Sequence, residues 1–474
     1  MKSLELQPTY ENLVSTFIKN TIGRNSDIIS FADILNSINE SCSIALDAKW
    51  GAGKTFFVKQ TKLILDAFNN HVQSLNEDDK RIISSICDEE HINSPIEYIP
   101  QLAVYYDAWS NDNDEDPILS LVLSILGNVD ECFSFEQGTD VLTKASAVLE
   151  FFTGKSYTTL REGFKSEDIL KTIKETKEIE NLIKEFLDEL LPERGDRLVI
   201  FVDELDRCKP DYAVRLLKRI KHYFTNDRIT FVFAINSLEL QHTVKKYYGE
   251  KFDASRYLDR FFDLRLSLSP VDKKLFYSNI GFSASSRYFY DMVCRIVIEK
   301  FDFSLREIAK YIRITKIAAY KPTHKGTEDF IFPEEKGLQF CIFYFLPVML
   351  GLKLKDIEKY EEFVSGRDFS PMVEVLDRFE SRWFSNLLSQ NEDFEKDNDV
   401  TIVVSVEQKL KEVYDAVFNT KYDYGKYKTN IGEYSFADGL KDELIRISGL
   451  MSKYTDFEKT QPKEDNDDIE TVKC

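Results

Sequence analysis

Residues 42–55, CSIALDAKWGAGKT, constrain the possible folds of this chain more than any other stretch. An apolar run ending in Asp47 gives way to small residues, and KTFFVKQTKLILDAF then places Phe57, Val58, Leu63, Ile64 and Phe68 at roughly helical spacing. The pattern predicts strand, tight loop, helix. A loop that cradles phosphate needs small residues so that successive backbone N–H groups can converge on oxygen. It also needs a lysine to reach the outer phosphates and a hydroxyl to meet a magnesium ion. Gly51, Ala52, Gly53, Lys54 and Thr55 meet those needs at a helix N-terminus, where the dipole favours an anion. Trp50 and Phe56 flank them and complete the candidate cofactor-binding set, while the place usual for a first glycine holds Ala48.

A companion site follows the most apolar run, Leu198–Val202, which closes on Asp203 and Glu204. A carboxylate ending a buried strand beside a phosphate loop can hold Mg²⁺, so Thr55 and Asp203 form the candidate metal pair. The adjacent acid can take a proton from an attacking water, which assigns Glu204 as base. Pro210 suits the first turn of the next helix, which repeats Ala213, Leu216, Leu217, Ile220 and Phe224 on one face. Another continuous apolar run, Ile229–Ile235, ends at Asn236, a candidate hydrogen-bonding partner for the terminal phosphate or the water. Residues 262–268 alternate Phe262, Leu264, Leu266 and Leu268 with polar neighbours and predict a half-exposed strand. Trp109, after the LAVYY run at 102–106, is expected to pack into the scaffold of the site. Continuous apolar strands separated by helices imply an α/β fold with a parallel sheet covered on both faces.

The 474 residues carry 62 Lys+Arg against 82 Asp+Glu, a net charge of −20, which opposes general affinity for nucleic acid or anionic membrane. The seven scattered cysteines and five histidines show no metal-ligand spacing. The apolar run at 338–352 contains Gln339 and Pro347 and falls short of the roughly 20 residues that span a bilayer. It reads as a buried helix pair, with no membrane segment and a cytoplasmic location. Three regions are expected: a core at 1–270 with a helical excursion near 130–195, a helical lid at 271–365, and an accessory region at 366–474 ending in a disordered acidic tail.

The ordered set KWGAGKT, YYDAW, FVDELDRCKP and YLDRFFDLRLSL resembles the KAP family of P-loop NTPases, the additional-strand, catalytic-acid type. The resemblance covers about residues 20–365. It implies ATP and Mg²⁺ as cofactors, a lid motif at 304–312 in which Arg306 approaches nucleotide, and a soluble bacterial type, since 110–195 contain no membrane helices. Bacterial members of the family often occur in anti-phage defence clusters. Two departures stand out: Ala48 in the loop and Glu204 where Asp is usual.

The catalytic set is therefore Glu204, Lys54, Asn236 and Arg306. Arg256 and Arg260 are read either as fingers supplied to a neighbouring subunit or as interface or core salt bridges. Arg306, Lys310 and Arg313 share a helix face in a stretch, 306–325, with six basic residues against one acidic. That face is the one place suited to nucleic acid or an acidic partner; it reads equally as a solvated surface. Three outputs stay open: an ATPase acting as a nucleotide-driven switch through a protein partner or a homo-oligomer, a scaffold stabilised by ATP without hydrolysis, and a phosphotransferase. GTP is the less favoured nucleotide.

Overall fold

The computed structural model describes residues 7–114, 116–132, 184–191, 194–224, 226–280, 289–322, 328–330, 336–376, 406–419, 429–431, 434–436 and 439–450. Most of the expected excursion at 130–195 and all of the acidic tail lie outside these residues. The chain divides into two compact units with the boundary between Asp272 and Lys273.

In the first unit, five parallel strands form one sheet in the order β2-β3-β4-β1-β5: β1 Cys42–Asp47, β2 Gln101–Asp107, β3 Arg197–Asp203, β4 Ile229–Ile235 and β5 Leu264–Ser267. The alternation of side chains along each strand builds two cores. On β3, Leu198, Ile200 and Val202 face one layer with Val104, Tyr106, Phe231 and Phe233, packed under α5 (Pro117–Cys132) and α6 (Pro210–Tyr223). Val199 and Phe201 face the other with Ile44, Leu46, Val232 and Ala234, against α1 (Tyr10–Ile18), α2 (Asn25–Ser37), α3 (Lys54–Phe68) and α4 (Glu77–Glu90). Both faces are covered, which is why β3 and β4 are buried at every position and carry no polar/apolar alternation before Asp203. On α6, the predicted stripe Ala213, Leu216, Leu217 and Ile220 is buried, as is Phe224 at its C-cap.

The strand register aligns the acids that close the strands. Asp47 of β1 pairs with Ile235, Asp203 of β3 with Ala234, and Asp107 of β2 with Asp203. Three acidic residues therefore end three strands in one layer, at the carboxyl edge of the sheet.

The fifth strand departs from its sequence pattern. Strict alternation places Phe262, Leu264, Leu266 and Leu268 on one face, yet the strand begins only at Leu264, which is exposed. Phe262 lies in the preceding turn and packs against Phe233 in one core, while Leu266 and Leu268 rest on the other. An edge strand with one neighbour is only half covered, so its pattern carries less information than its length implies.

The second unit is mainly helical: α9 Lys273–Ile280, α10 Phe289–Lys300, α11 Leu305–Ala319, α12 Lys336–Lys355, α13 Ile357–Val364, α14 Ser370–Leu376, α15 Val406–Phe418 and α16 Leu440–Ser448. Two short antiparallel pairs add strands the sequence pattern did not announce, β6 Tyr320–Pro322 with β7 Glu328–Phe330 and β8 Thr429–Ile431 with β9 Tyr434–Phe436. The expected helix pair at 338–352 is instead one helix, α12. It runs through Pro347 and is long and apolar enough, by length and composition alone, to cross a membrane. Of its most apolar window, 78% is buried inside the protein, against α10, α11, α13, α14 and α16. Elements on both sides of residue 366 thus share one core, where Phe345, Phe363, Tyr414 and Phe418 meet ring to ring.

Candidate nucleotide site

The loop between β1 and α3 takes its shape from two left-handed glycines, Gly51 at φ 77° and Gly53 at φ 89°. A side chain at either position would collide with its own backbone, which explains why glycine stands there. Left-handed residues in such a loop can turn successive N–H groups toward one concave side. The first N–H groups of α3, which have no partner within the helix, open onto the same space. The Ala48 N–H anchors the loop to Ile235 O at 3.1 Å. The loop is also braced from outside. Arg24, buried, donates to the Ala52 carbonyl at 2.7 Å and to the Ser269 carbonyl, tying the loop to the chain after β5. No local motif marks Arg24, and sequence reasoning did not assign it.

Lys54 and Thr55 open α3. The Lys54 ammonium donates to the Ala48 carbonyl at 2.6 Å. Burial lowers its pKa, while Asp206, Asp203, Glu204 and Asp47 pull it back up. Four carboxylates thus favour the charged form of one buried lysine. The Phe56 side chain packs on the core beneath the loop, which leaves only its backbone for the site.

Asp203 is the centre of the second half. It is 1% exposed. Its Oδ2 accepts from Thr55 Oγ1 at 2.7 Å and from Tyr105 Oη at 3.0 Å, and its Oδ1 accepts from the Glu204 N–H at 2.9 Å. Burial raises its pKa; those three hydrogen bonds and the charge of Lys54 lower it. The sequence pattern places a Thr hydroxyl and an Asp carboxylate near one another, and they lie in contact although 148 residues separate them. Tyr105, which holds the same carboxylate from β2, carries no sequence signal beyond the aromatic run.

Glu204 sits in the left-handed region at φ 60°, uncommon for a residue other than glycine. It caps a short 3₁₀ turn, Leu205–Arg207, in which its carboxylate pairs with Arg207 Nε. Burial and the neighbouring Asp203 push its pKa up to about 7, with Arg207 opposing them. Arg207 in turn lies over two indoles, its guanidinium carbon 5.8 Å from the Trp50 ring and 5.6 Å from the Trp109 ring. Trp50 donates its indole N–H to Asp206 Oδ2 at 2.5 Å. Trp109 is 51% exposed, so the expectation that it packs into the core is corrected: it stands at the surface beside Arg207.

Asn236 directly follows β4, the strand between β1 and β3, and its side chain caps α7 (Ser237–Tyr248) through the Glu239 N–H at 3.5 Å. Arg256 and Arg260 are exposed, on α8 (Ala254–Leu258) and just after it. Arg306 belongs to the second unit, exposed on α11, with Lys310 and Arg313 part-buried further along the helix. That helix starts on a reciprocal cap, Ser304 N–H to Glu307 and Glu307 N–H to Ser304 Oγ.

The donors present fit a magnesium ion better than a self-sufficient metal centre. A hydroxyl and one carboxylate are hard oxygen donors, and Mg²⁺ commonly keeps its waters and takes the rest of its shell from phosphate. Among the described residues no group of three or more His, Cys, Asp or Glu could hold a metal unaided.

Comparison with known proteins agrees with this geometry. A 52-residue stretch is 44% identical to part of an uncharacterized protein of Methanocaldococcus jannaschii, covering 11% of this chain and 26% of that relative, so the match spans about a quarter of the relative's length. Residues 24–318 match the KAP family P-loop domain, well over half of the chain and including Arg24, the phosphate loop and the acidic strand end. The chain therefore belongs to the KAP family of P-loop NTPases.

Proposed function

We propose that the chain is a Mg²⁺-dependent ATPase whose hydrolysis drives a conformational switch. The observation that carries this reading is the contact of Thr55 with Asp203, which joins the phosphate loop to the acidic strand end at 2.7 Å. In this reading the backbone of 51–56 and Lys54 bind the polyphosphate, and Thr55 with Asp203 would hold Mg²⁺. When bound, that ion supplies positive charge to the phosphate oxygens. Glu204, with a carboxyl poised near neutrality, accepts the proton of the attacking water. Asn236 stands between the loop strand and the acid strand, where it can hydrogen-bond the terminal phosphate or that water. Arg306 is assigned to sensing nucleotide from the helical unit on the strength of the family resemblance. The resemblance likewise supports a regulatory role in a bacterial anti-phage defence system, acting in the cytoplasm through a protein partner or a second copy of the chain.

Calorimetry with Mg-ATP and a phosphate-release assay test the chemistry together. Lys54→Ala should abolish binding. Glu204→Gln should keep binding and lower turnover by about 10²–10⁴-fold, the usual contribution of a positioned base. Unchanged turnover in Glu204→Gln would refute the assignment. Binding without free phosphate in the wild type would favour the scaffold reading, and label on an acceptor would favour phosphotransfer.

A further inference from the structure

The catalytic assignment leaves one cluster unused: Arg207, Trp50, Trp109 and Asp206 around Glu204. Three elements supply it. Trp50 comes from the phosphate loop, Trp109 from the turn after β2, and Glu204, Asp206 and Arg207 from the turn after β3. Both indoles are about half exposed, unusual for the largest apolar side chains, and each faces the Arg207 guanidinium. Arg207 itself is three-quarters buried and pairs with Glu204. Trp50 is bonded a second time, through its N–H, to Asp206, whose Oδ1 has no partner.

We propose that Arg207 is a positioning residue: clamped between Trp50 and Trp109, it fixes where the Glu204 carboxylate points, and Trp50 makes that clamp responsive to the phosphate loop. The proposal rests on the ATPase reading above and goes beyond it by adding Arg207 and Trp109, neither of which needs to touch nucleotide.

The chemistry of the parts favours this role. Glu204 lies in a strained backbone conformation, so its side-chain direction is not fixed by a regular helix or strand. A guanidinium can offer its edge to a carboxylate while its two faces lie on aromatic rings, a combination that lysine cannot reproduce. Trp109 lies beside Arg207, its ring 5.6 Å from the guanidinium carbon, so an effect of Trp109 on turnover that disappears without Arg207 is the signature of the clamp.

The test begins with wild-type turnover, whose absence refutes the ATPase reading and this inference with it. With turnover present, Arg207→Ala should lower kcat by about 10- to 100-fold, the scale set by misplacing a reacting group by about 1 Å, with the dissociation constant for ATP within about twofold. Trp109→Leu should lower kcat in the same sense without changing ATP affinity, and Arg207→Lys should restore kcat only in part. In a Glu204→Gln background, Arg207→Ala should have no further effect. Equal losses in both backgrounds, a loss confined to ATP affinity, or an unchanged kcat would overturn the proposal while leaving the ATPase reading intact. A readout without nucleotide or metal is available from the indole N–H resonances of Trp50 and Trp109. Both should shift in Glu204→Gln as Arg207 loses its anchor; unmoved resonances in a folded variant would also overturn the clamp.

Discussion

Replacing Tyr105 by Phe removes one hydrogen bond from a carboxylate that has no solvent to replace it. Asp203 is 1% exposed and accepts three bonds, from Thr55, Tyr105 and the Glu204 N–H. The ring of Tyr105 stays in Phe, so no cavity opens and the change isolates the hydroxyl. A hydrogen bond to a charged group contributes about 1.5–3 kcal/mol. In a unit the size of Leu6–Asp272, each kcal/mol shifts the melting temperature by about 2–4 °C, so Tyr105→Phe should lower it by about 3–12 °C at pH 8. The sign with pH follows from burial. Asp203 already has a raised pKa, and losing the phenol raises it further. Below the ordinary value of 3.8 the acid is protonated both folded and unfolded, and the deficit from ionisation vanishes. Above that value wild type and variant first lose stability alike, and the deficit opens only above the raised folded pKa of the wild type, growing until the still higher folded pKa of the variant is passed. Differential scanning calorimetry from pH 4 to 8 reads this directly. A melting temperature within about 1 °C of wild type at pH 8, or a loss that grows toward pH 4, would refute the reasoning.

Glu204 near pKa 7 makes the acid limb of kcat/KM fall near neutrality, tenfold per unit below it, because that limb reports the free enzyme; a limb near the ordinary 4.5 would contradict the burial argument. Gly53→Ala forces a side chain into φ 89° at about 1–2 kcal/mol, and titration calorimetry should show ATP affinity lowered roughly tenfold or more. Gly351→Ala brings a Cβ within 2.6 Å of Val297 Cγ1 and 3.0 Å of the Phe301 ring, an overpacking worth about 1–3 kcal/mol. Limited proteolysis should then open the helical unit first; equal resistance to wild type would count against the packing.

What the sequence disclosed and what it withheld divide along physical lines. The phosphate loop and the acid pair were legible because each is a local requirement: glycines for left-handed turns, a hydroxyl and a lysine at a helix start, acids where an apolar run stops. The covered sheet was legible too, since β3 and β4 are buried at every position and carry long apolar runs, Leu198–Val202 and Phe231–Ile235. Partners distant in sequence were not. Tyr105 reads as one more aromatic in a strand, and Arg24 as one more surface charge, until folding brings them to Asp203 and Ala52. Bulk and apolarity argue for burying Trp109, whereas the cation over its ring lets it remain exposed. Pro347 ordinarily ends a helix, which is why the sequence reads as two helices there; burial of α12 among its neighbouring helices overrides that cost.

The sheet order carries a consequence for how this protein can vary. β2 and β3 are hydrogen-bonded neighbours in register from Gln101↔Arg197 to Asp107↔Asp203, although the connection between them is the longest within the first unit. Material gained or lost midway along that connection leaves both strand ends, and the carboxylates they carry, where they are. The pairing of Asp107 with Asp203 therefore depends on the β2–β3 ladder itself and not on how much sequence joins the two strands.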